Sequence, residues 1–262
     1  VFWDGQQIHN VGHREGFVDT LVEIWGLQEY TGNSFYAPRD GDVVLDLGAN
    51  VGLFSIWVAR QAPGARVFAF EPFLQNCEAL RANLRGWNHS IEVHNVALGP
   101  SRRRGHMVDA GPRSLDHRLS DVNDTSPGHD VDVITLEDAL RLTNAPACDF
   151  VKMDIEGGER DIFENIDVST LVRVRRLALE YHDNIRPGTL RRIQDILAPT
   201  HRVCSVSEGS YGILQAELRQ DVAGPPGGGR LAELSTADLA TYGDDPSGAD
   251  RTRALSGSSA DV

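Results

Sequence analysis

The sequence predicts an α/β protein built on a doubly wound, mostly parallel sheet that closes with a C-terminal antiparallel hairpin. Three observations carry this. From residue 43 onward, short apolar runs alternate with segments of helical period, the pattern of successive crossovers in a parallel sheet. The first run enters its helix through a turn containing Gly48 and Gly52. The last two runs, "HRVCSVSE" and "YGILQAEL", have no helix between them and are expected to pair antiparallel.

Taken in order, residues 1–40 read as a lead-in or cover segment. In "GFVDTLVEIWGLQEY", Phe17, Leu21, Val22, Ile24, Trp25 and Leu27 have the spacing of a short amphipathic helix. "VVLDLGA" is a strand and "VGLFSIWVARQ" a helix stopped by Pro63-Gly64. "RVFAFEP" is a strand, "LQNCEALRANLRG" a helix closed by Gly86, and "IEVHNVALG" a strand. Residues 100–130, rich in Gly, Pro, Ser, Asp and Arg, read as a long irregular connection. It holds a short strand, "GHMVDA", and a solvated Arg102–Arg104 turn. "VDVITLEDALRL" supplies a further strand and a capped helix. "DFVKMDIEG" and "VRRLALEYH" are strands followed by the helices "GERDIFENI" and "PGTLRRIQDILA". The folded domain is therefore expected over 41–220. Residues 221–262, opening "DVAGPPGGG" and lacking an apolar period, are expected to be disordered.

A chain of 262 residues, 40% apolar, is long enough for one sizeable core. Its net charge of −13 disfavours nucleic acid and anionic membranes as partners, because both require a basic surface. No apolar stretch approaches the ~20 residues of a membrane span, and "VFWDGQQIHN" lacks a basic-then-apolar signal pattern. Cys77, Cys148 and Cys204 lie far apart and form neither a disulfide framework nor a zinc pattern. A reducing, cytoplasmic location is expected, with each cysteine a small buried hydrophobe.

In "VLDLGANVG", Gly48 and Gly52 lack a Cβ and leave room for a ligand to approach the backbone. Gly48 and Gly52, separated by Ala49, Asn50 and Val51, depart from the Gly-x-Gly-x-x-Gly of a pyrophosphate cradle. Asp46 repels phosphate and suits an ammonium group. The second strand ends in "FAFEP", where Glu71, beside Pro72, can accept both ribose hydroxyls. The third places Asn95, Val96 or Ala97 beside a purine ring. Adenosine with a cationic amino-acid end describes S-adenosylmethionine.

"VVLDLGANVGLFS", "FAFEP", "DFVKMDIEGGE" and "LALEYH" together resemble the FkbM-type family of S-adenosylmethionine-dependent methyltransferases, over roughly residues 20–218. The block from Lys152 through Asp154 and Glu156 to Glu159 is its specific part. The resemblance implies a seven-stranded, Rossmann-like class I methyltransferase sheet with S-adenosyl-L-methionine as cofactor. It also implies methylation of oxygen on a small hydroxylated acceptor such as a macrolide, a sugar or another secondary metabolite. Two rivals stand beside it. A nucleotide-cofactor oxidoreductase predicts a three-glycine turn that is absent. A non-catalytic cofactor-binding scaffold does not require the polar set at Asp154, Glu156, Glu180 and His182.

"DFVKMDIEGGERD" carries the chemistry. Val151, Met153 and Ile155 form one apolar face, while Lys152, Asp154 and Glu156 put three ionisable groups on the other. A central parallel strand is normally covered on both faces, so a charged stripe near its carboxyl end is expected to face the ligand crevice. Glu180 and His182 repeat the two-residue spacing on the next strand. An alcohol is a poor nucleophile until a base takes its proton. His182 is the expected base, since an ordinary imidazole pKa of roughly 6.5 suits neutral pH. Glu180 then orients it or bonds the acceptor, and Asp154 sits beside the methionine amine or the acceptor hydroxyl. Lys152 supplies countercharge to Asp154 or Glu156. If a divalent metal such as Mg²⁺ takes part, which this reading does not favour, Asp154, Glu180 and His182 are the expected ligands. Glu159 and Glu164 are expected on the following helix, where acids suit the first turn. Trp25, Tyr30 and Tyr36 are expected to pack within the lead-in or cover the site. Acceptor specificity is expected in the lead-in and in residues 100–128.

Overall fold

The computed structural model describes residues 2, 3, 6–10, 14–32, 34–85, 91–109, 118–205 and 209–222. In chain order the elements are β1 (Phe2–Trp3), β2 (Gln6–Gln7), α1 (Arg14–Leu21) running into a π-helical turn (Val22–Leu27), β3 (Val43–Leu47), α2 (Leu53–Gln61) and β4 (Arg66–Phe70). They continue with α3 (Leu74–Asn83), β5 (Ile91–His94), β6 (Ala97–Leu98), β7 (Arg103–Val108), β8 (Arg118–Asp121), β9 (Gly128–Ile134), α4 (Leu136–Leu142) and β10 (Phe150–Met153). The remainder is α5 (Glu159–Glu164), α6 (Val168–Leu171), β11 (Arg176–His182), α7 (Thr189–Leu197), β12 (His201–Ser205) and β13 (Tyr211–Leu218).

The main sheet has seven strands in the order β12-β13-β11-β10-β3-β4-β5. The run from β11 to β5 is parallel; β13 inserts antiparallel beside β11 and pairs antiparallel with β12. Strand order reverses at β3, which has β4 on one side and β10 on the other. That is the switch point at which such a sheet opens a ligand crevice.

Each face of the sheet carries its own core. Leu45, Leu47, Phe70, Val151 and Met153 pack towards α4, α5 and α7. Val44, Val67, Phe150 and Ala178 pack towards α2 and the lead-in. An ordinary outer helix exposes one side, yet α2 is buried continuously from Leu53 to Ala59. The lead-in accounts for this: Phe17, Ile24, Tyr30 and Tyr36 join the same core. Tyr36 stacks on Phe150, ring centroids 4.2 Å apart, and Trp25 Nε1 donates to Leu53 O at 3.3 Å.

The connection after β5 departs from the expected irregular loop. β6, β9, β7 and β8, in that order, form a second sheet of four strands. The strand at "VDVIT" belongs to this sheet, because β9 finds its pairing partner in β7, from Arg103 opposite Val133 to Val108 opposite Gly128. Nor is the arginine run a solvated turn. It opens β7, and Arg102, Arg103 and Arg104 meet Asp138, Asp121 and Asp132 respectively. Cys77 and Cys148 are buried, but Cys204 on edge strand β12 is exposed, contrary to expectation. Gly86 and residues 223–262, where a helix stop and a disordered tail are expected, lie outside the described residues. Among the described residues, no helix is long and apolar enough to cross a membrane.

Candidate active site

Two cavities adjoin at the carboxyl edge of the sheet and share Gly48, Asn50, Asp154 and Glu156 on their walls. The turn between them is shaped by the protein itself. Gly48 has φ +77°, and a Cβ there would lie 1.7 Å from the Asp154 carbonyl oxygen. Asp154 N donates to Leu47 O at 2.9 Å, so the ends of β3 and β10 are pinched together. Gly52, at φ +89°, would bring a Cβ to 3.0 Å from Leu80. The room expected for a ligand at these two glycines is thus taken up by neighbouring chain. Gly48 still lines both cavities; Gly52 lines neither.

Asp46 is fully buried beneath the turn and absent from both walls, which corrects its expected direct contact with an ammonium group. Its Oδ2 accepts from Ser55 Oγ at 2.7 Å. The β3–β10 register sets Asp46 directly beside Lys152, and Lys152 Nζ lies 3.6 Å from Asp46 Oδ1 and 3.6 Å from Asp154 Oδ2. It also donates to Gly48 O at 2.7 Å. Burial alone would lower the Lys152 pKa, but the charges of Asp154 and Asp46 outweigh it and raise the value. For Asp46 burial prevails over Lys152 and Ser55, and its pKa is raised.

One cavity lies over β4 and is largely apolar, with Phe73, Ala97, Leu98 and Met107 among its walls. Glu71 and Pro72 line it. Glu71 Oε2 accepts from Asn50 N at 2.7 Å and Oε1 from Phe73 N at 2.9 Å. Burial raises Glu71 to about 7 against the pull of those two bonds. Asn95 faces neither cavity. Its Nδ2 donates to the carbonyls of Glu71 (2.8 Å) and Pro72 (2.9 Å), bracing the segment from behind. Asn76 is a wall residue that sequence reasoning missed. It is 2% exposed, and its Oδ1 has no hydrogen-bond partner. Its one signal is an amide in the first turn of a helix that follows Pro72.

The other cavity lies over β10 and β11. Lys152, Asp154, Glu156 and Glu180 line it, together with Ala49 and Asn50. Strand alternation runs only to Met153, where β10 ends; Glu156 takes φ +56°. The turn nevertheless carries Asp154 and Glu156 to the wall. From the lead-in come Phe17, Glu23, Ile24 and Tyr30, contributions that the apolar period gave no means of aiming. Tyr30 is buried, with its hydroxyl 3.2 Å from Asp154 Oδ2 and 3.2 Å from Glu180 Oε2. Its ring centroid lies 5.3 Å from Lys152 Nζ. Burial, then the charge of Asp154, raises Glu180 to about 7 and Glu156 to about 8.

His182 is on neither wall. Its Nδ1 lies 3.2 Å from Glu159 Oε1, and its Nε2 lies 3.5 Å from Glu156 Oε2. Burial pushes the ring down, but the hydrogen bond and charge of Glu159, followed by Glu156 and Asp154, carry it up to about 9. The ring is thus held towards its protonated form between Glu159 and Glu156, and it does not open to either cavity where an acceptor would sit. This corrects its expected role as base. Glu159 does stand in the first turn of α5, but it is fully buried and turned inward to His182 and to Gly157 N. Glu164 closes that helix and pairs with Arg160 and Arg192.

Asp154, Glu180 and His182 each offer a ligand atom within 4.8 Å of the others. The Tyr30 hydroxyl contacts one oxygen of each carboxylate, Asp154 Oδ1 is left without a partner, and both His182 nitrogens face other carboxylates.

Residues 46–199 match the family described as Methyltransferase FkbM domain. The chain belongs to the FkbM methyltransferase family. The matched span holds all the strand-end acids described above, whereas Tyr30 and the other lead-in wall residues lie before it. Among curated relatives, AMB antimetabolite synthetase AmbE of Pseudomonas aeruginosa is 30% identical over 208 residues, covering 65% of this chain and 10% of that protein. The 31-O-demethyl-FK506 methyltransferase FkbM of Streptomyces tacrolimicus is 28% identical over 174 residues, 55% of this chain and 67% of that one. The chain thus spans a tenth of the first relative's length and about two thirds of the second's. Among solved structures, magnesium protoporphyrin IX methyltransferase from Synechocystis PCC 6803 aligns with a TM-score of 0.44 at 16% identity, covering 79% of this chain and 81% of that one. Precorrin-6y C5,15-methyltransferase from Geobacter metallireducens aligns with a TM-score of 0.41 at 17% identity, covering 71% and 85%.

Proposed function

We propose that the protein is an S-adenosylmethionine-dependent O-methyltransferase acting on a hydroxyl group of a small molecule, with Glu180 as general base. The observation that carries this reading is the pair of cavities meeting at Gly48 and Asp154, one apolar with a buried acid, the other acidic. Asn76 Oδ1 and Asp154 Oδ1 support it as well. Both are buried without a hydrogen-bond partner on the cavity walls, and such atoms ordinarily find one. Glu71 would hold the ribose hydroxyls, Phe73, Ala97 and Met107 the purine, and Asp154 the amino-acid end.

When bound, the cofactor supplies an electrophilic methyl group on a sulfonium that leaves as a neutral thioether. The chain's own part is to hold the acceptor oxygen in line and remove its proton. Positioning supplies roughly 7–11 kcal/mol in favourable cases, and a well-placed base a further ~10²–10⁴-fold. Glu180, raised to about 7, is poised for that transfer at neutral pH. The lead-in supplies Phe17, Glu23, Ile24 and Tyr30 to the cavity wall. The cavity's acids leave Lys152 as the sole basic side chain among its described wall residues, and it is spent on Gly48, Asp46 and Asp154. This supports an uncharged hydroxylated acceptor over an anionic one.

The test is release of S-adenosylhomocysteine with a panel of methyl glycosides, macrolide alcohols and phenols. Turnover on at least one is expected. Absence of turnover on all of them, with calorimetric binding of NAD but not of S-adenosylmethionine, would overturn the reading in favour of an oxidoreductase.

A further inference from the structure

Tyr30 bridges two carboxyl groups of the site. Its phenolic hydroxyl lies 3.2 Å from Asp154 Oδ2 and 3.2 Å from Glu180 Oε2. One side chain of the lead-in thus touches both the acid at the end of β10 and the proposed base on β11.

We propose that Tyr30 is a positioning residue of the methyl-transfer site, bridging Asp154 and Glu180 through its hydroxyl and holding Glu180 towards the acceptor. The proposal rests on the O-methyltransferase reading above. The geometry around Tyr30 is that of a fixed strut. The side chain is 6% exposed, its ring meets Phe54 edge-on with centroids 6.1 Å apart, and its face covers Lys152. Its backbone follows Gln28, which turns at φ 52° and accepts from Thr31 N at 2.9 Å. The charged groups facing this bridge are Lys152 on β10, Glu156 in the turn after it, His182 from β11 and Glu23 from the π-helical turn. On β13, Glu180 is opposed by uncharged Ile213. Tyr30 thereby ties the lead-in to the proposed base.

The experiment is a kinetic cycle with Tyr30→Phe, Glu180→Gln and the double variant. It uses the acceptor from the panel above that gives the fastest S-adenosylhomocysteine release. Phe keeps the ring contacts with Phe54 and Lys152 and removes only the hydroxyl. Tyr30→Phe is expected to lower kcat at least 10-fold while leaving the acceptor KM and the Kd for S-adenosylhomocysteine within about threefold of wild type. In the Glu180→Gln background the same change should alter kcat less than twofold, because a residue acting through Glu180 has nothing left to orient. Wild-type kcat in Tyr30→Phe, or full multiplication of the two losses, would sink the Tyr30 role and leave the base assignment standing. Wild-type turnover in Glu180→Gln would instead overturn the base assignment and the Tyr30 role with it.

Discussion

Glu71 and Glu180 are two carboxyl groups at the ends of neighbouring parts of one sheet, and burial raises each to about 7. Their surroundings differ. Glu71 is held by two backbone N–H groups, from Asn50 and Phe73, which no change of protonation can withdraw. Glu180 is held by a side chain, Tyr30, and sits among Asp154, Lys152 and His182, whose charges push its pKa in opposite directions. Equal positions on the pH scale thus arise from different causes. The first environment suits a fixed hydrogen-bond acceptor, and the second a group that exchanges a proton during turnover.

The largest effect that would break this comparison is on Glu180. Glu180→Gln should reduce turnover by about 10²–10⁴-fold. The wild-type rate should rise with pH through about 7 as the carboxyl ionises, and the residual rate of the variant should lose that limb. A pH–rate profile of both proteins checks this; an unchanged limb would assign the ionisation to another group.

Next is Lys152, the charge that both regions share through Asp46 and Asp154. Lys152→Met leaves those carboxylates without their countercharge, and breaking a buried pair typically costs about 3–5 kcal/mol. Lys152 is 4% exposed, so little water is at hand to compensate. Chemical denaturation at neutral pH should show the loss, and stability equal to wild type would mean that Asp46 is already protonated.

The smallest expected effect concerns Glu71. Glu71→Ala should weaken S-adenosylmethionine binding by about 1–3 kcal/mol by removing charge-assisted hydrogen bonds. It should also change how stability depends on pH. A carboxyl raised from 4.5 to about 7 holds more protons when folded than when unfolded across that window. Its contribution is therefore fully present below pH 4.5 and lost as pH rises through about 7. Melting curves between pH 5 and 8 should show a shallower decline in the variant.

Much of this architecture was legible in the chain. The helix–strand alternation from residue 43, the hairpin at the end and the acids at Glu71, Asp154, Glu156 and Glu180 are local patterns, read from period, turn glycines and strand ends. The second sheet was not legible, because β7 and β9 are joined by pairing across a segment rich in loop-forming residues. The failure at His182 is of another kind. Its residue type pointed to a base, but the first turn of α5 places Glu159 beside it, and the ring lines neither cavity.

By itself, then, the sequence determined the sheet, the helices and the chemical types brought to the crevice, since those follow from side-chain periodicity and backbone preference. Tertiary structure alone decided which acids face a cavity, which are buried beneath it, and which of them a single tyrosine bridges. Asp46 and Glu180 have the same chemistry in the sequence. One lies beneath the turn against Lys152, the other opens to a cavity beneath a tyrosine 150 residues away in the chain. Ionisation depends on desolvation and on charges a few ångströms off, and those distances exist only once the chain has folded.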